Sequence, residues 1–175
     1  KKLGELGFMG MMVPPEWGGA GMDTVSYVIA MEEISKVDAS VGVIMSVNNS
    51  LVCYGIEKWG TDGQKEKYLK PLASGQKLGA FCLSEPEAGS DATQQRTEAV
   101  LQGDHYILNG MKNWITNGTK ADYYLVQAMT DKSKGYKGIT TFIVEKTSEG
   151  FEVGKKEDKL GIRSSDTCSI GLNNC

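Results

Sequence analysis

Two kinds of hydrophobic spacing divide the chain near Ser74 and Gly75. Upstream the apolar positions recur with helical period. In "TVSYVIAMEEISKV", Val25, Val28, Ile29 and Met31 alternate with polar positions such as Glu32, and Asp23 stands where a carboxylate can accept from the first free amides of a helix. The run "ASVGVIMSVNNSLVCYGIEKWG" is apolar on most faces except at Ser46, Asn48, Asn49 and Ser50, which predicts an inner helix. Thr61 followed by Gln64 fits a capping box for a third helix through "KEKYLKPLA", with Pro71 near its end. The opening "KKLGELGF" reads as the tail of an amphipathic helix, and "EWGGAG" as a tight turn ahead of Asp23.

Downstream the period shortens to two. "KLGAFCLS", "RTEAVLQG", "HYILNGMK", "DYYLVQAMT", "GITTFIVE", "FEVGKK" and "TCSIGL" are short segments rich in β-branched and aromatic residues. Turn signals at Gly103-Asp104, Asn109-Gly110 and Asn117-Gly118 punctuate them. Helices first and strands afterwards is the α+β order. The expectation is an N-terminal α-helical domain over residues 1–75 and an antiparallel β-barrel or sandwich over 76–175.

Composition narrows the functional classes. The 175 residues can bury a real core, and 40% hydrophobic with 23% charged residues reads as globular and soluble. A net charge of −3 offers no basic footprint for nucleic acid. No apolar run approaches the ~20 residues of a membrane span. Cys53, Cys82, Cys168 and Cys175 are too scattered for a zinc site, and the lone His105 cannot complete one, so no metal and a reducing compartment are expected. No G-x-G-x-x-G joins a strand to a helix, so a Rossmann nucleotide site has no support.

Candidate chemistry concentrates in "FCLSEPEAGSDA", Phe81 to Ala92. The strand must stop pairing at Pro86, which lacks an N–H, and Ala88-Gly89-Ser90-Asp91 can then turn several donors outward together. In "NWITNGTKAD", Trp114, Ile115 and Thr116 set an aromatic face, an apolar branch and a hydroxyl side by side. One planar heteroaromatic ligand could use both stretches. Each residue also has a plainer reading: Ser84 and Ser90 as turn caps, Trp114 as core, and Glu85, Glu87 and Asp91 as solvated loop charges.

At these residues the chain resembles the acyl-CoA dehydrogenases. "CLSEPEAGSDA" is similar to the family's first signature, and "NGMKNWITNG" to the strand and loop carrying its Trp-Ile-Thr flavin contacts. "LGELGFMGMMVPPEWGGAGMD", "GTDGQKEKYLKPLASGQKLGAFCLSE" and "GKKEDKLGIRSSDT" extend the likeness over essentially the whole chain. "KKEDKLGIR" points to the short-chain or butyryl branch. The pattern departs from the signature at Gln94, where a small residue is usual, so the Thr93-Gln94 end of the loop would be crowded.

The resemblance implies oxidation of the Cα–Cβ bond of an acyl-CoA to the trans-2-enoyl-CoA in fatty acid β-oxidation, with FAD as cofactor and an electron-transferring flavoprotein as electron acceptor. It implies that Phe81, Leu83 and Ser84 line the isoalloxazine, with Ser84 bonding its pyrimidine edge. Thr116 would bond near N5, with Trp114 and Ile115 packing on the ring. Gly89 and Ser90 belong to the same cofactor loop, Ser90 also meeting the CoA side of the ligand. Ser46, Asn48 and Asn49 either border the acyl pocket or bond backbone at helix ends. The family's catalytic Glu lies in a C-terminal helical domain that also forms the core of a homotetramer. No Glu here has a matching context, so no catalytic residue is assigned, and the expectation is a portion lacking that domain and inactive alone. The implied location is the cytoplasm for a bacterial member or the mitochondrial matrix for a eukaryotic one. A non-catalytic flavin- or CoA-binding assembly module using the same β-domain is the alternative.

Overall fold

A computed structural model describes all residues from Lys1 to Cys175. After a short first helix, α1 (Lys2–Glu5), and a loop tightened at Gly18 and Gly21, both with positive φ, α2 spans Thr24–Val37. Asp23 opens it by accepting from the Ser26 amide at 2.7 Å. Two apolar stripes compete for the inside of α2, and only one can win. Tyr27, Ala30, Met31 and Ile34 pack inward, while Val25, Val28 and Ile29 are left exposed.

Asp38 ends α2 and caps the next helix, its carboxylate accepting from the Ser40 amide at 2.8 Å. That helix, α3 (Ala39–Trp59), is the expected inner helix and widens to a π-type turn over Val47–Cys53. It corrects one expectation. At 21 residues, α3 is long and apolar enough by length and composition to cross a membrane. Its middle, however, buries Asn48 and Asn49 against backbone groups of the protein, as a helix within a folded core does. The last helix, α4 (62–73), starts at the Thr61–Gln64 capping box, with bonds of 3.3 and 2.9 Å, and carries Pro71 in its final turn.

Seven strands follow: β1 (Gly79–Cys82), β2 (Glu98–Gln102), β3 (His105–Thr116), β4 (Tyr123–Met129), β5 (Ile139–Glu145), β6 (Phe151–Lys156) and β7 (Thr167–Leu172). They form one curled sheet in the order β1-β4-β2-β3-β7-β6, with β5 paired to β4. The α+β order holds, but the pairing is mixed. β1 lies parallel to β4, because the β2–β3 hairpin carries the chain away and back between them, serving as the crossover that a parallel pair needs.

Of the three expected turns, Gly103-Asp104 joins β2 to β3, and Asn117-Gly118 follows β3 with Asn117 at φ 66. Asn109-Gly110 is not a turn. It lies inside β3, where that strand leaves β2 (Asn109 opposite Glu98) to pair with β7 (Gly110 opposite Leu172). Gly110 is needed there: its φ is 152, and a Cβ would come within 2.7 Å of the Thr97 Cα.

The main core lies within the curl of the sheet, around Ala80, Cys82, Ile115, Tyr124, Val126 and Cys168. A second core joins α3 and α4 to the other face of β4, through Val52, Ile56, Leu69, Leu72 and Leu125. Cys53, Cys82 and Cys168 are buried free thiols.

Candidate functional site

Alternation along β1 decides which residues can meet a ligand. Ala80 and Cys82 enter the inner core, so Phe81 and Leu83 face the opposite side. There they form a wall of a cleft of about 610 Å³, closed by Leu51, Tyr54 and Trp59 of α3 and by Leu125 and Ile143 of the sheet. None of the 14 residues lining this cleft is acidic or basic.

The end of β3 lies beside β1. Asn113 N–H donates to the Ser84 carbonyl at 2.8 Å, and Asn117 Nδ2 donates to the Gly79 carbonyl at 3.0 Å. Between Lys112 and Ile115 the register with β7 shifts by a bulge. The bulge turns both Lys112 and Ile115 inward and leaves Trp114 out, 64% exposed and at φ 61. Positive φ is a genuine strain for a bulky side chain, and such strain collects at functional sites. Thr116, half-buried, follows on the outer side. The structure thus brings the end of β1, with Phe81, Leu83 and Ser84, beside the end of β3, with Trp114 and Thr116, although the two strands are not paired in the sheet. Of these five residues Phe81 and Leu83 line the cleft and the other three do not. Ile115 is different: its side chain belongs to the inner core, so only its backbone is available to a ligand.

The loop after β1 closes through reciprocal backbone bonds between Glu85 and Ala88, and Asp91 accepts from the Thr93 hydroxyl at 2.5 Å and its amide at 3.2 Å. Gly89 and Ser90 are exposed, and their amides have no backbone acceptor. These are free donors at the rim.

The structure decides between the readings left open for Trp114 and for Asn48 and Asn49, and changes that of Glu85. Trp114 is a surface residue rather than core, because the bulge reverses its side. Glu87 and Asp91 are exposed loop charges, but Glu85 is buried. Its side chain is 3% exposed, and it bonds Lys112 Nζ, 0% exposed, at 2.8 Å. Burial pushes the Glu85 carboxyl up, but the Lys112 ammonium and the amides of Arg96 and Thr97 outweigh it and hold it below the usual carboxylate range. Finally, Asn48 and Asn49 do not line the cleft. Asn48 donates to the carbonyls of Met9 (2.8 Å) and Leu72 (3.2 Å) and accepts from Gly79 N–H (3.0 Å). Asn49 donates to Phe8 and Met45 and accepts from Met11. The α3 residues that reach the cleft are Ser50, Leu51, Tyr54, Gly55, Ile56 and Trp59.

Sequence reasoning missed Lys112. Its partners lie 17 to 29 residues away along the chain, so no local pattern marks it. The site therefore offers apolar and aromatic surface beside hydroxyl and amide donors, a set that fits a planar heteroaromatic ligand with acceptors on its edge. No group of His, Cys, Asp and Glu is placed to hold a metal ion.

Comparison with known proteins gives the family of the chain. Residues 1–76 match the family model for the acyl-CoA dehydrogenase N-terminal domain, and residues 80–175 the model for its middle domain. A short-chain specific acyl-CoA dehydrogenase of Clostridium acetobutylicum is 54% identical over 170 residues, 97% of this chain and 45% of that protein. The human mitochondrial short-chain specific acyl-CoA dehydrogenase is 51% identical over the whole chain and 42% of its own length. Among solved structures, butyryl-CoA dehydrogenase from Megasphaera elsdenii superposes with a TM-score of 0.94 at 48% identity, over 99% of this chain and 46% of that one. A chain from work on the electron transferring flavoprotein of Acidaminococcus fermentans and flavin-based electron bifurcation superposes at 0.97, with 53% identity, over 99% of this chain and 46% of that one. The chain spans less than half the length of these relatives.

Proposed function

Because the chain belongs to the acyl-CoA dehydrogenase family, we propose that it supplies the cofactor wall and part of the acyl cleft of an FAD-dependent enzyme oxidising short acyl-CoA thioesters. The observation that carries this reading is the approach of the end of β3, with Trp114 and Thr116, to the end of β1, with Phe81, Leu83 and Ser84, where Phe81 and Leu83 also wall an uncharged cleft. When bound, FAD would supply the acceptor for a hydride from Cβ of the acyl chain as the Cα proton leaves to a base.

The residues of this chain have distinct tasks in that reading. Phe81, Leu83 and Trp114 give apolar surface that excludes water from the ring. Ser84 and Thr116 donate at its edge, where fixed donors favour the charge that builds up on reduction. Gly89 and Ser90 present the rim donors, Ser90 toward the CoA end of the substrate. The uncharged cleft wall, with Leu51, Tyr54, Trp59 and Ile143, suits an acyl chain. No carboxylate or histidine lines it, so this reading assigns the Cα proton to none of the cleft residues. Residues 1–75 act as a helical domain and 76–175 as the ligand-binding β-domain. An electron-transferring flavoprotein as acceptor is supported by the subject of the Acidaminococcus work. A homotetramer, and residence in bacterial cytoplasm or mitochondrial matrix, belong to the same proposal.

The test uses the full-length protein carrying this chain. FAD is titrated into apoprotein and butyryl-CoA into holoprotein. A neutral hydrogen bond contributes ~0.5–1.5 kcal/mol net, roughly two- to tenfold in affinity. Ser84→Ala should weaken FAD by about that factor, and Ser90→Ala should weaken butyryl-CoA while sparing FAD. Equal losses of both ligands from both variants, or wild-type protein that retains no FAD, would overturn the reading.

A further inference from the structure

We propose that the buried Glu85–Lys112 pair is a positioning device, setting the loop that carries Ser84, Gly89 and Ser90 against the β3 bulge that carries Trp114. The proposal rests on the flavin reading above. Lys112 spends all three of its N–H donors: on Glu85 Oε1 at 2.8 Å, on the Leu83 carbonyl at 3.1 Å and on Gln95 Oε1 at 3.1 Å. All three acceptors belong to one loop. Glu85 in turn accepts from the amides of Arg96 at 2.5 Å and Thr97 at 3.0 Å, closing that loop where it enters β2.

The fold alone does not require this chemistry. Taking two charges out of water is costly, and apolar residues of similar volume often replace a buried ion pair without loss of stability. What apolar residues cannot do is fix directions. Here one ammonium and one carboxylate tie together the end of β1, the far end of the loop and the last inward residue before the bulge. Leu83 is bonded through its carbonyl to Lys112, and Ser84 through its carbonyl to Asn113. Both sides of the ligand wall therefore share one anchor. Glu85 and Lys112 act on the ligand through these neighbours, without touching it.

The experiment compares Lys112→Met, Glu85→Gln and the double variant in the full-length protein. Lys112→Met leaves a buried carboxylate uncompensated and should lower the melting temperature. The double variant removes both charges and should recover stability to within about 4 °C of wild type, the shift set by roughly 1 kcal/mol in a protein of this size or larger. FAD affinity should nevertheless stay about tenfold weaker in the double variant, the equivalent of one strong hydrogen bond. The visible circular dichroism of its bound flavin should also differ from wild type. Amide exchange at Arg96, Thr97 and Asn113 in FAD-free protein should quicken in all three variants, with Tyr124 in the core unchanged.

A double variant with wild-type FAD affinity, wild-type flavin dichroism and unchanged exchange would overturn the proposal. So would FAD losses that simply track the loss of melting temperature across the three variants, since that is what a purely structural pair produces. Wild-type protein that retains no FAD would sink the functional reading instead. The exchange comparison then still decides whether the pair orders the loop.

Discussion

Asn48 offers the sharpest test of how the helical layer is joined to the sheet. Its side chain is fully buried and makes three hydrogen bonds to backbone: to Met9 in the N-terminal loop, to Leu72 near the end of α4, and from Gly79 at the start of β1. Replacing it with leucine keeps the volume close but removes every polar partner. Three bonds at ~0.5–1.5 kcal/mol net each set the loss at about 2–4 kcal/mol, with the orphaned Gly79 amide pushing toward the upper end. At about 2–4 °C per kcal/mol for a chain of this size, the melting temperature should fall by roughly 4–16 °C. Ser50→Ala is the control. Its hydroxyl bonds the Ser46 carbonyl of its own helix at 2.7 Å and is only part-buried, so its loss should stay near or below ~1 kcal/mol. Urea titration followed by far-UV circular dichroism measures both. If Asn48→Leu costs no more than Ser50→Ala, the three bonds do not hold the layers together and the reasoning fails.

Thr116→Val in full-length enzyme should lower kcat more than it weakens FAD binding, because a donor at the flavin edge matters most as charge develops there; steady-state kinetics beside FAD titration checks this, and two unchanged parameters would make Thr116 only a strand end. Glu85 is held below its ordinary value of 4.5, by interactions that outweigh its burial. The folded form therefore binds its proton less readily than the unfolded one. Its contribution to stability is complete above pH ~4.5 and is lost as pH falls through the folded value. Melting temperature between pH 7 and 3 should thus fall less steeply in Glu85→Gln than in wild type, and parallel slopes would contradict the assignment. Burial pushes the Cys53 thiol up to about 12 and Cys168 to about 11, and raises Cys82 further still. Burial raises Cys175 too, but its thiol is only half-buried, so native protein treated with iodoacetamide at pH 8 should carry label on Cys175 ahead of the other three, read by peptide mass spectrometry; early labelling of Cys53 would show that α3 opens.

Much of this protein is written locally. Asp23, Asp38 and the Thr61–Gln64 pair act within three residues of themselves, so helix starts can be read from adjacent letters. The seven strands follow from period-two patterning, and the break from helix to sheet follows from the change of period. Family motifs, being contiguous, are legible for the same reason. Four features are not local, and the tertiary structure decided each of them. The parallel pairing of β1 with β4 joins residues such as Gly79 and Tyr123, far apart along the chain with the β2–β3 hairpin between them. Asn109-Gly110 carries the letters of a turn, yet Gly110 serves as a strand corner because β7, some 60 residues away, pairs beyond it. Glu85 looks like one more loop carboxylate until Lys112 meets it across 27 residues, and Trp114 looks like core until the bulge turns it out. Propensities and caps depend on neighbours along the chain. Burial, charge pairing and the side of a strand that faces a ligand depend on neighbours in space, and at this site those come from β1, β3 and the loop between β1 and β2.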